Sequence, residues 1–263
     1  MAAKCATIVS FVEEMAPRAL ALEGDNTGWQ VGDPGAAVKK VLVALDVDEA
    51  VAEEAVAAGA DLIISHHPLF HRPMKNIRLD QPRGALVARL VREGINVYAA
   101  HTNLDAAAEG VNEALARVLG LVDIAPLVDE PSPFGRVGRL SEPMTFYAFL
   151  AFVKTVLELP TIRAGGPQER MIRKVALCGG SGGDLWSKAA FAGADVFVTG
   201  DLKYHVAQDI LAAGLNFVDP GHYPTERVIL EPLKSYLEKR IRAAGLDIAV
   251  AVARAGRDPF DYL

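Results

Sequence analysis

The sequence predicts an α/β fold built from two related halves, residues 1–125 and 126–263. Two stretches resemble each other over their whole length: VKKVLVALDVDEAVAEEAVAAGADLIISHH (38–67) and IRKVALCGGSGGDLWSKAAFAGADVFVTGD (172–201). Each has a strand, a helical stretch that ends in Gly, and a second apolar strand. Corresponding residues keep a constant separation, as in the pairs Lys40 and Lys174, Gly59 and Gly193, Asp61 and Asp195. This order is that of a βαβ unit, whose strands pair in parallel, so its recurrence predicts an internal duplication.

A third strand completes each predicted half. The segments EGINVYAAHTNLD (93–105) and AGLNFVDPGHYPTE (213–226) each place a Gly before another short apolar run. Each half is therefore predicted to contain strand, helix, strand, helix and strand in that order. The four strands that matter below are predicted at residues 61–65, 95–100, 196–199 and 215–218.

The segment between the two copies is less repetitive. The stretch DEPSPFG (129–135) is rich in Pro and Gly and predicts the crossover between the halves. Ser141, followed by Pro143, has the pattern of a helix start. An amphipathic helix is therefore predicted from Ser141 to about Leu159.

Composition narrows the class of protein. The chain has 263 residues, of which 51% are hydrophobic and 23% charged, values typical of a globular protein with a large core. The net charge of −6 argues against a nucleic-acid-binding surface. We expect no membrane span and no signal peptide, and hence a cytoplasmic protein. Two cysteines, Cys5 and Cys178, make neither a disulfide framework nor a CxxC zinc pattern.

Polar side chains collect where the predicted strands end. Ligands of open parallel sheets bind beyond the carboxyl ends of the strands. Taken singly, each polar residue has an ordinary explanation. Asp105 could cap a helix, Glu226 could interact favourably with a helix dipole, and a lone His is usually hydrogen-bonded or solvated. The coincidence at four strand ends indicates a binding site. His71 and His205 are interpreted as surface or supporting residues. The residues that follow the four strands are His66 and His67; His101 and Asp105; Asp201; and His222 with Glu226.

The adjacent pair His66 and His67 suggests two metal ions. Neighbouring side chains on a straight strand point to opposite faces, but a turn at Pro68 would let the two rings diverge, one imidazole to each ion. Asp105 would complete one ion, His222 the other, and Glu226 could bridge them. Nitrogen and oxygen ligands without thiolate suit Zn, Mn, Fe or Co. Two such ions could hold a bridging hydroxide that attacks a substrate.

Five ordered motifs resemble one known family, the GTP cyclohydrolase 1 type 2 homologue (NIF three-like) proteins. The motifs are DNTGWQVG (25–32), SHHP (65–68), HTNLD (101–105), TGDLKYH (199–205) and GHYPTE (221–226). The resemblance implies two similar α/β halves that face each other around a dinuclear metal site, and a ring-shaped homohexamer. It also implies opening of the imidazole ring of GTP, with release of formate. It implies five metal ligands: His66, His67, Asp105, His222 and Glu226.

Two further residues of these motifs are predicted to act beside the metal ligands. His101 matches a family position next to the site, and Asp201 stands where relatives carry Glu. Either residue could carry a proton during the reaction.

The chain has no room for the extra domain that some relatives carry between the halves. Neither the missing domain nor Asp201 in place of Glu affects the predicted metal ligands.

The Gly-rich segment CGGSGGD (178–184) allows two interpretations. Amides of such a turn at a helix start could hold a substrate phosphate. The residues of that cradle would be Gly179, Gly180, Ser181, Gly182 and Gly183. Alternatively, the glycines form a tight turn that needs positive φ.

Three functions agree with these observations. The first is a metal-dependent hydrolase of a nucleotide or another phosphorylated heterocycle, an anionic small molecule. The second is a two-metal phosphoesterase. The third is a non-enzymatic metal-binding scaffold or regulator. Five protein ligands for two ions leave open coordination positions, and this favours catalysis.

Overall fold

The computed structural model describes residues 3–129 and 132–261. The chain divides into two compact units, Met1–Leu104 with Leu230–Arg257, and Asp105–Ile229 with Asp258–Leu263. No helix in the described part of the chain has both the length and the apolar composition needed to cross a bilayer. The α/β class is as predicted. The predicted halves meet at 125/126, whereas the chain passes from the first unit to the second at Leu104/Asp105, and residues 230–257 belong to the first unit.

Short strands and helices alternate along the chain. In the first part they are α1 (Cys5–Met15), β1 (Gly28–Val31), β2 (Lys40–Ala44), α2 (Glu49–Ala58), β3 (Leu62–Ser65), α3 (Pro82–Arg92), β4 (Asn96–Ala99), α4 (Thr102–Ala106) and α5 (Val111–Val118). The second part contains β5 (Leu121–Val128), β6 (Phe134–Thr145), α6 (Phe146–Val156), β7 (Arg163–Gly165), β8 (Met171–Cys178), α7 (Trp186–Phe191), β9 (Val196–Thr199), α8 (Tyr204–Ala212), β10 (Asn216–Asp219), α9 (His222–Glu226), α10 (Leu230–Ala243) and β11 (Ala249–Val252). Three 3₁₀ turns lie at Arg18–Leu20, Gly183–Leu185 and Arg227–Ile229.

The first unit contains a five-stranded sheet in the order β1-β4-β3-β2-β11. Strands β2, β3, β4 and β11 are parallel, and β1 pairs antiparallel with β4. All four residues of β3 and of β4 are buried, as expected for parallel strands that are covered on both faces. Ile63, Val97 and Leu90 of α3 belong to one of its apolar clusters. The carboxyl ends of β2, β3 and β4 therefore lie side by side.

The second unit contains a six-stranded sheet in the order β5-β6-β8-β9-β10-β7. Its parallel part is β8, β9 and β10. The other three strands extend it with antiparallel pairs. One apolar cluster contains Val175 of β8, Val198 of β9, Val218 of β10 and Phe149 of α6. The predicted strands 196–199 and 215–218 agree with β9 and β10 to within one residue.

The two units share a local pattern of hydrogen bonds. In the first, Asp61 Oδ2 accepts from the amides of Lys39 and Lys40, at 2.7 and 3.0 Å, and Lys40 Nζ donates to the carbonyl of Ala58. In the second, Asp195 Oδ2 accepts from the amides of Arg173 and Lys174, at 2.9 Å each, and Lys174 Nζ donates to the carbonyl of Ala192. The repeated Lys and Asp of the sequence thus hold β2 at its start, and β8 near its middle, through the same set of bonds.

The prediction of a helix from Ser141 to about Leu159 is wrong at its start. Ser141 and Pro143 belong to β6, and α6 begins after Thr145, whose hydroxyl accepts from the amide of Ala148 at 3.3 Å. Pairing of β6 with both β5 and β8 outweighs the local helix signal. Pro143 lies where the β6–β8 register shifts, a position at which a missing N–H costs no ladder bond. Of the predicted crossover, Glu130 and Pro131 lie outside the described residues.

Candidate metal centre

Three imidazoles of the first unit come together at the ends of β3 and β4. The ring centroid of His66 lies 4.9 Å from that of His67 and 5.3 Å from that of His101. One ring nitrogen of each residue lies within 4.8 Å of the others, close enough to hold a metal ion. The alternation of an extended strand ends here, because the amides of His66 and His67 donate to the carbonyls of Ala44 and Leu45. The sequence-adjacent rings thereby lie next to each other.

Each of these three rings is held through Nδ1. His66 Nδ1 lies 3.0 Å from the carbonyl of Ala100, His67 Nδ1 lies 2.8 Å from Asp46 Oδ1, and His101 Nδ1 lies 2.7 Å from Asp25 Oδ1. Carbonyl and carboxylate oxygens can only accept, so Nδ1 is the protonated nitrogen and Nε2 carries the lone pair. This arrangement is typical of imidazoles that bind metals.

The Asp25 carboxylate accepts the hydrogen bond from His101 Nδ1. Burial alone would raise the pKa of Asp25, but hydrogen bonds from His101 and Thr102 outweigh burial and lower the pKa to about 2. The Thr102 hydroxyl donates to Asp25 Oδ2 at 2.6 Å and the Thr102 amide at 3.1 Å. The carboxylate therefore stays charged at every physiological pH and keeps the His101 ring in place.

Two of the predicted supporting histidines have different surroundings. The His71 ring lies 6.0 Å from that of His67 and 5.7 Å from that of His101, so it borders the imidazole group. Partial burial, followed by the neighbouring rings of His101 and His67, lowers the pKa of His71. His205 is exposed on α8, where its Nδ1 lies 3.1 Å from Gln208 Oε1.

The second unit brings together the other predicted ligands. Helix α9 is one turn long, and the spacing of four residues places His222 Nε2 3.0 Å from Glu226 Oε2. A carboxylate oxygen of Asp105 lies within 4.8 Å of one of Glu226. Asp105 and Glu226 are only 6% and 3% exposed. Two buried carboxylates this close repel each other unless a cation or a proton lies between them, so this pair fits a bound divalent ion.

Asp201 supports His222 from the end of β9. Its Oδ2 accepts from His222 Nδ1 at 2.8 Å, which repeats the arrangement of His67 with Asp46. The Asp201 backbone has φ +54°, a conformation that Asp adopts more readily than most residues but that still carries some strain. Its side chain is about half exposed. A role in proton transfer stays a prediction for Asp201.

The Gly-rich turn lies against α9, and its amides are largely used inside the protein. The amides of Gly179, Gly180 and Gly182 donate to Asn112 Oδ1, Thr225 Oγ1 and Thr199 Oγ1, at 2.8, 3.0 and 2.9 Å. Three of the five amides of the predicted phosphate cradle therefore already have acceptors. Gly180 has φ +61°, which agrees with the alternative interpretation of a tight turn.

Glycine at position 180 also allows the side chains of α9 to lie close to the backbone of the turn. A Cβ there would clash with Glu226 Oε1 and lie 3.1 Å from His222 Nε2. The turn thus forms a wall against which both predicted ligands of α9 pack. Its role in the structure is to support these side chains.

Sequence reasoning missed Asp25 and Asp46. Asp46 lies two residues after the end of β2, so the rule about strand ends applied to it as well as to His66 and His101. Asp25 begins the DNTGWQVG motif, but nothing in a single sequence reveals that it reaches His101, 76 positions away.

Residues 3–259 match the model of the Duf34/NIF3 (NGG1p interacting factor 3) family. The GTP cyclohydrolase 1 type 2 homolog of Clostridium perfringens is 35% identical over 261 residues, which cover 97% of this chain and 98% of that protein. The homolog of Lactococcus lactis is 41% identical over 230 residues, or 85% and 89% of the two chains. The solved structure of a Bacillus cereus protein related to NIF3 covers 100% of both chains, with a TM-score of 0.95 and 29% identity.

Proposed function

We propose that this chain, which belongs to the Duf34/NIF3 family, is a metal-dependent hydrolase that binds two divalent ions. The family inferred from the five sequence motifs is confirmed by the match over residues 3–259 and by the curated relatives. The observation that carries the proposal is the state of the imidazoles. His66 and His67 each have Nδ1 bound to an oxygen, so that Nε2 presents the lone pair. His222 has the same bond from Nδ1, and its Nε2 lies 3.0 Å from Glu226 Oε2, the spacing expected of two ligands of one ion.

The ions are zinc, iron, manganese or cobalt, since the ligands are nitrogen and carboxylate oxygen. Divalent ions of this kind lower the pKa of bound water and polarise the bond under attack. The side chains that hold them are His66, His67, Asp105, His222 and Glu226.

The remaining polar residues orient the ligands and move protons. Asp46 and Asp201 fix the rings of His67 and His222 and raise the basicity of Nε2. His101 has the same kind of support from Asp25, and its ring lies 5.6 Å from that of His67. We assign His101 the transfer of a proton to or from the substrate, with Asp201 as the second candidate for that role.

The substrate is a nucleotide or another phosphorylated heterocycle. The curated relatives carry the name GTP cyclohydrolase 1 type 2 homolog, so the first reaction to test is opening of the imidazole ring of GTP with release of formate. A phosphoesterase uses the same kind of metal pair for attack at phosphorus. A metal-binding scaffold or regulator would bind the ions without turnover.

The decisive experiment compares metal-reconstituted wild type with Glu226→Ala and with Glu231→Ala. Glu231 is an exposed residue of α10 that pairs with Lys234, and it serves as the matched control. Each protein is incubated with GTP and with a panel of nucleotides and phosphoesters, and products are identified by mass spectrometry. We expect formate and a ring-opened product from wild type and Glu231→Ala, and none from Glu226→Ala.

The other outcomes separate the three functions. Phosphate release that depends on Glu226 would assign the chain to the phosphoesterases. Two bound metals per chain without turnover of any compound would favour the scaffold. Metal analysis of the same samples gives the number of ions in each protein.

The assembly is also part of the proposal. The family resemblance implies a ring-shaped homohexamer, and the composition led us to expect a cytoplasmic protein that binds a small anionic substrate rather than a nucleic acid. Light scattering on the purified chain measures the mass of the assembly, and six chains per particle is the expected result.

A further inference from the structure

A cavity of about 430 Å³ opens beside the predicted ligand His222, within the second unit. This volume lies within the range of small-molecule sites, ~300–1,000 Å³. The cavity is bordered by the segment before and into β7, by the loops after β9 and β10, and by the C-terminal segment. The side chains that decide its chemistry are Ile162, Arg163, Asp201, Asp258, Phe260 and Asp261.

We propose that this cavity binds the ring of the substrate, and that the ring is a planar nitrogen heterocycle with N–H groups along one edge. The inference rests on the proposed function, because it takes His222 to be part of the reaction centre. It adds the place where the ring binds and the residues that select the ring.

Phe260 supplies a face for stacking. Its side chain is 67% exposed although it borders the cavity. A planar ring stacked on Phe260 would remove apolar surface from water, and such stacking is favourable for every nucleobase. Ile162, which is half-buried and also lines the cavity, provides a second apolar contact.

The charges of the lining disfavour a phosphate. Arg163, the one Lys or Arg that lines the cavity in the described part of the chain, is bound to the Asp219 carboxylate and donates to the carbonyl of Leu202 at 3.2 Å. Asp219 is itself buried and accepts from the amides of Leu202 and Gly221. This ion pair is therefore part of the wall. The carboxylates of Asp201, Asp258 and Asp261 remain as acceptors in the lining.

Carboxylates in the lining select a ring edge that donates hydrogen bonds. Asp258 Oδ1 accepts from the amide of Phe260 at 3.0 Å, which fixes the turn that brings Phe260 to the cavity. Asp201 is engaged with His222. Asp261 is thus the residue we assign to the ligand. An adjacent ring N–H and exocyclic amino group, as in a 2-aminopurine-6-one, can donate two parallel bonds to one carboxylate.

The test measures equilibrium binding of guanosine and inosine to the full-length, metal-loaded chain by titration calorimetry. Inosine lacks the exocyclic amino group, and neither probe carries a phosphate. Phe260→Ala should weaken guanosine binding by about tenfold or more, the range measured for loss of one base–aromatic stack. Asp261→Asn should abolish the preference for guanosine over inosine. Phe191→Ala is the matched control, since Phe191 is 94% exposed in the same unit and does not border the cavity.

Several results would overturn the inference. These are absence of guanosine binding, no preference over inosine in wild type, or an unchanged dissociation constant in Phe260→Ala. Binding is read without turnover, so its outcome is independent of the test of Glu226. Guanosine binding without catalysis would keep the ring site and reject the hydrolase. Catalysis that depends on Glu226, with no effect of Phe260→Ala, would keep the hydrolase and reject the ring site.

Discussion

His101 and the three predicted histidine ligands each have an oxygen partner at Nδ1. His67, His101 and His222 donate from Nδ1 to a carboxylate, and His66 donates to a backbone carbonyl. Four independent hydrogen bonds of the same type would be an unexpected coincidence for histidines that only fill surface positions. In His66, His67 and His101 these bonds leave Nε2 for a metal, and in His222 they leave Nε2 facing Glu226 Oε2 at 3.0 Å.

Removal of one such partner should weaken metal binding without removal of a ligand. In Asp46→Ala, the His67 ring loses the acceptor that fixes its orientation and tautomer. We expect metal affinity to fall by roughly 10- to 100-fold, as measured by competition with a chromogenic chelator. Asp80→Ala is the control, because Asp80 forms only an exposed pair with Arg78. Equal affinity in the two variants would contradict the proposed role of Asp46.

Sequence alone could predict where these residues stand in the chain but not which atoms they present. His66, His67 and His101 were found because they follow buried strands. The structure then shows that the alternation of β3 ends at Ser65, so that neighbouring rings meet. That detail depends on hydrogen bonds to Ala44, the last residue of the adjacent strand β2, and to Leu45, which follows it. Contacts of this kind join distant parts of the chain and leave no local signal in a single sequence.

Helix α9 and the Gly-rich turn are joined by hydrogen bonds. The Gly180 amide donates to Thr225 Oγ1, and Thr225 lies between the two predicted ligands of α9. The Thr225 hydroxyl is also within hydrogen-bonding distance of the carbonyls of Gly221 and His222, at 3.0 and 2.7 Å. A substitution in the turn should therefore alter the position of the Glu226 side chain.

A pair of Gly variants isolates the effect of this close approach. Gly180→Ala and Gly193→Ala both place Ala at a positive φ, +61° and +69°, which costs about 1–2 kcal/mol of stability each. A Cβ at Gly193 meets nothing within 4 Å, whereas one at Gly180 clashes with Glu226. We expect only Gly180→Ala to lower metal affinity, by roughly tenfold or more, in a metal titration combined with urea unfolding. The same affinity in both variants would show that Glu226 does not depend on the turn.

The prediction of elements succeeded where the local pattern and the sheet agree. Strand β3, predicted at 61–65, is Leu62–Ser65, because its apolar run is what a buried parallel strand needs. It failed at Ser141, where a good helix start is held in β6 by strands on both sides. The duplication stays a prediction, supported by the matching bonds of Asp61 and Asp195. Propensity decides an element only when no neighbouring strand competes for the backbone.

Across the whole molecule, the chain returns to its first unit after completing most of the second. Strand β11 pairs in parallel with β2, and α10 packs its apolar side, with Leu233 and Leu237, inward. A boundary read from sequence repeats cannot show this return, because a repeat identifies related segments and not their partners. Each unit contains one buried cysteine, Cys5 in the first and Cys178 in the second, so their thiols report on the two units separately.

The thiol of Cys5 should make stability fall at high pH. Burial, then the carboxylates of Asp61 and Asp33, raise the pKa of Cys5 from 9.0 to about 11. Its protonated state favours the folded chain fully below pH 9, and this contribution is lost as the pH rises towards 11, since the unfolded chain gains by ionisation. We expect Cys5→Ala to lose less stability than wild type between pH 8 and pH 10, by about 1 kcal/mol. Urea unfolding at the two pH values measures this difference, and an equal loss in both proteins would mean that Cys5 ionises as readily in the folded chain as in the unfolded one.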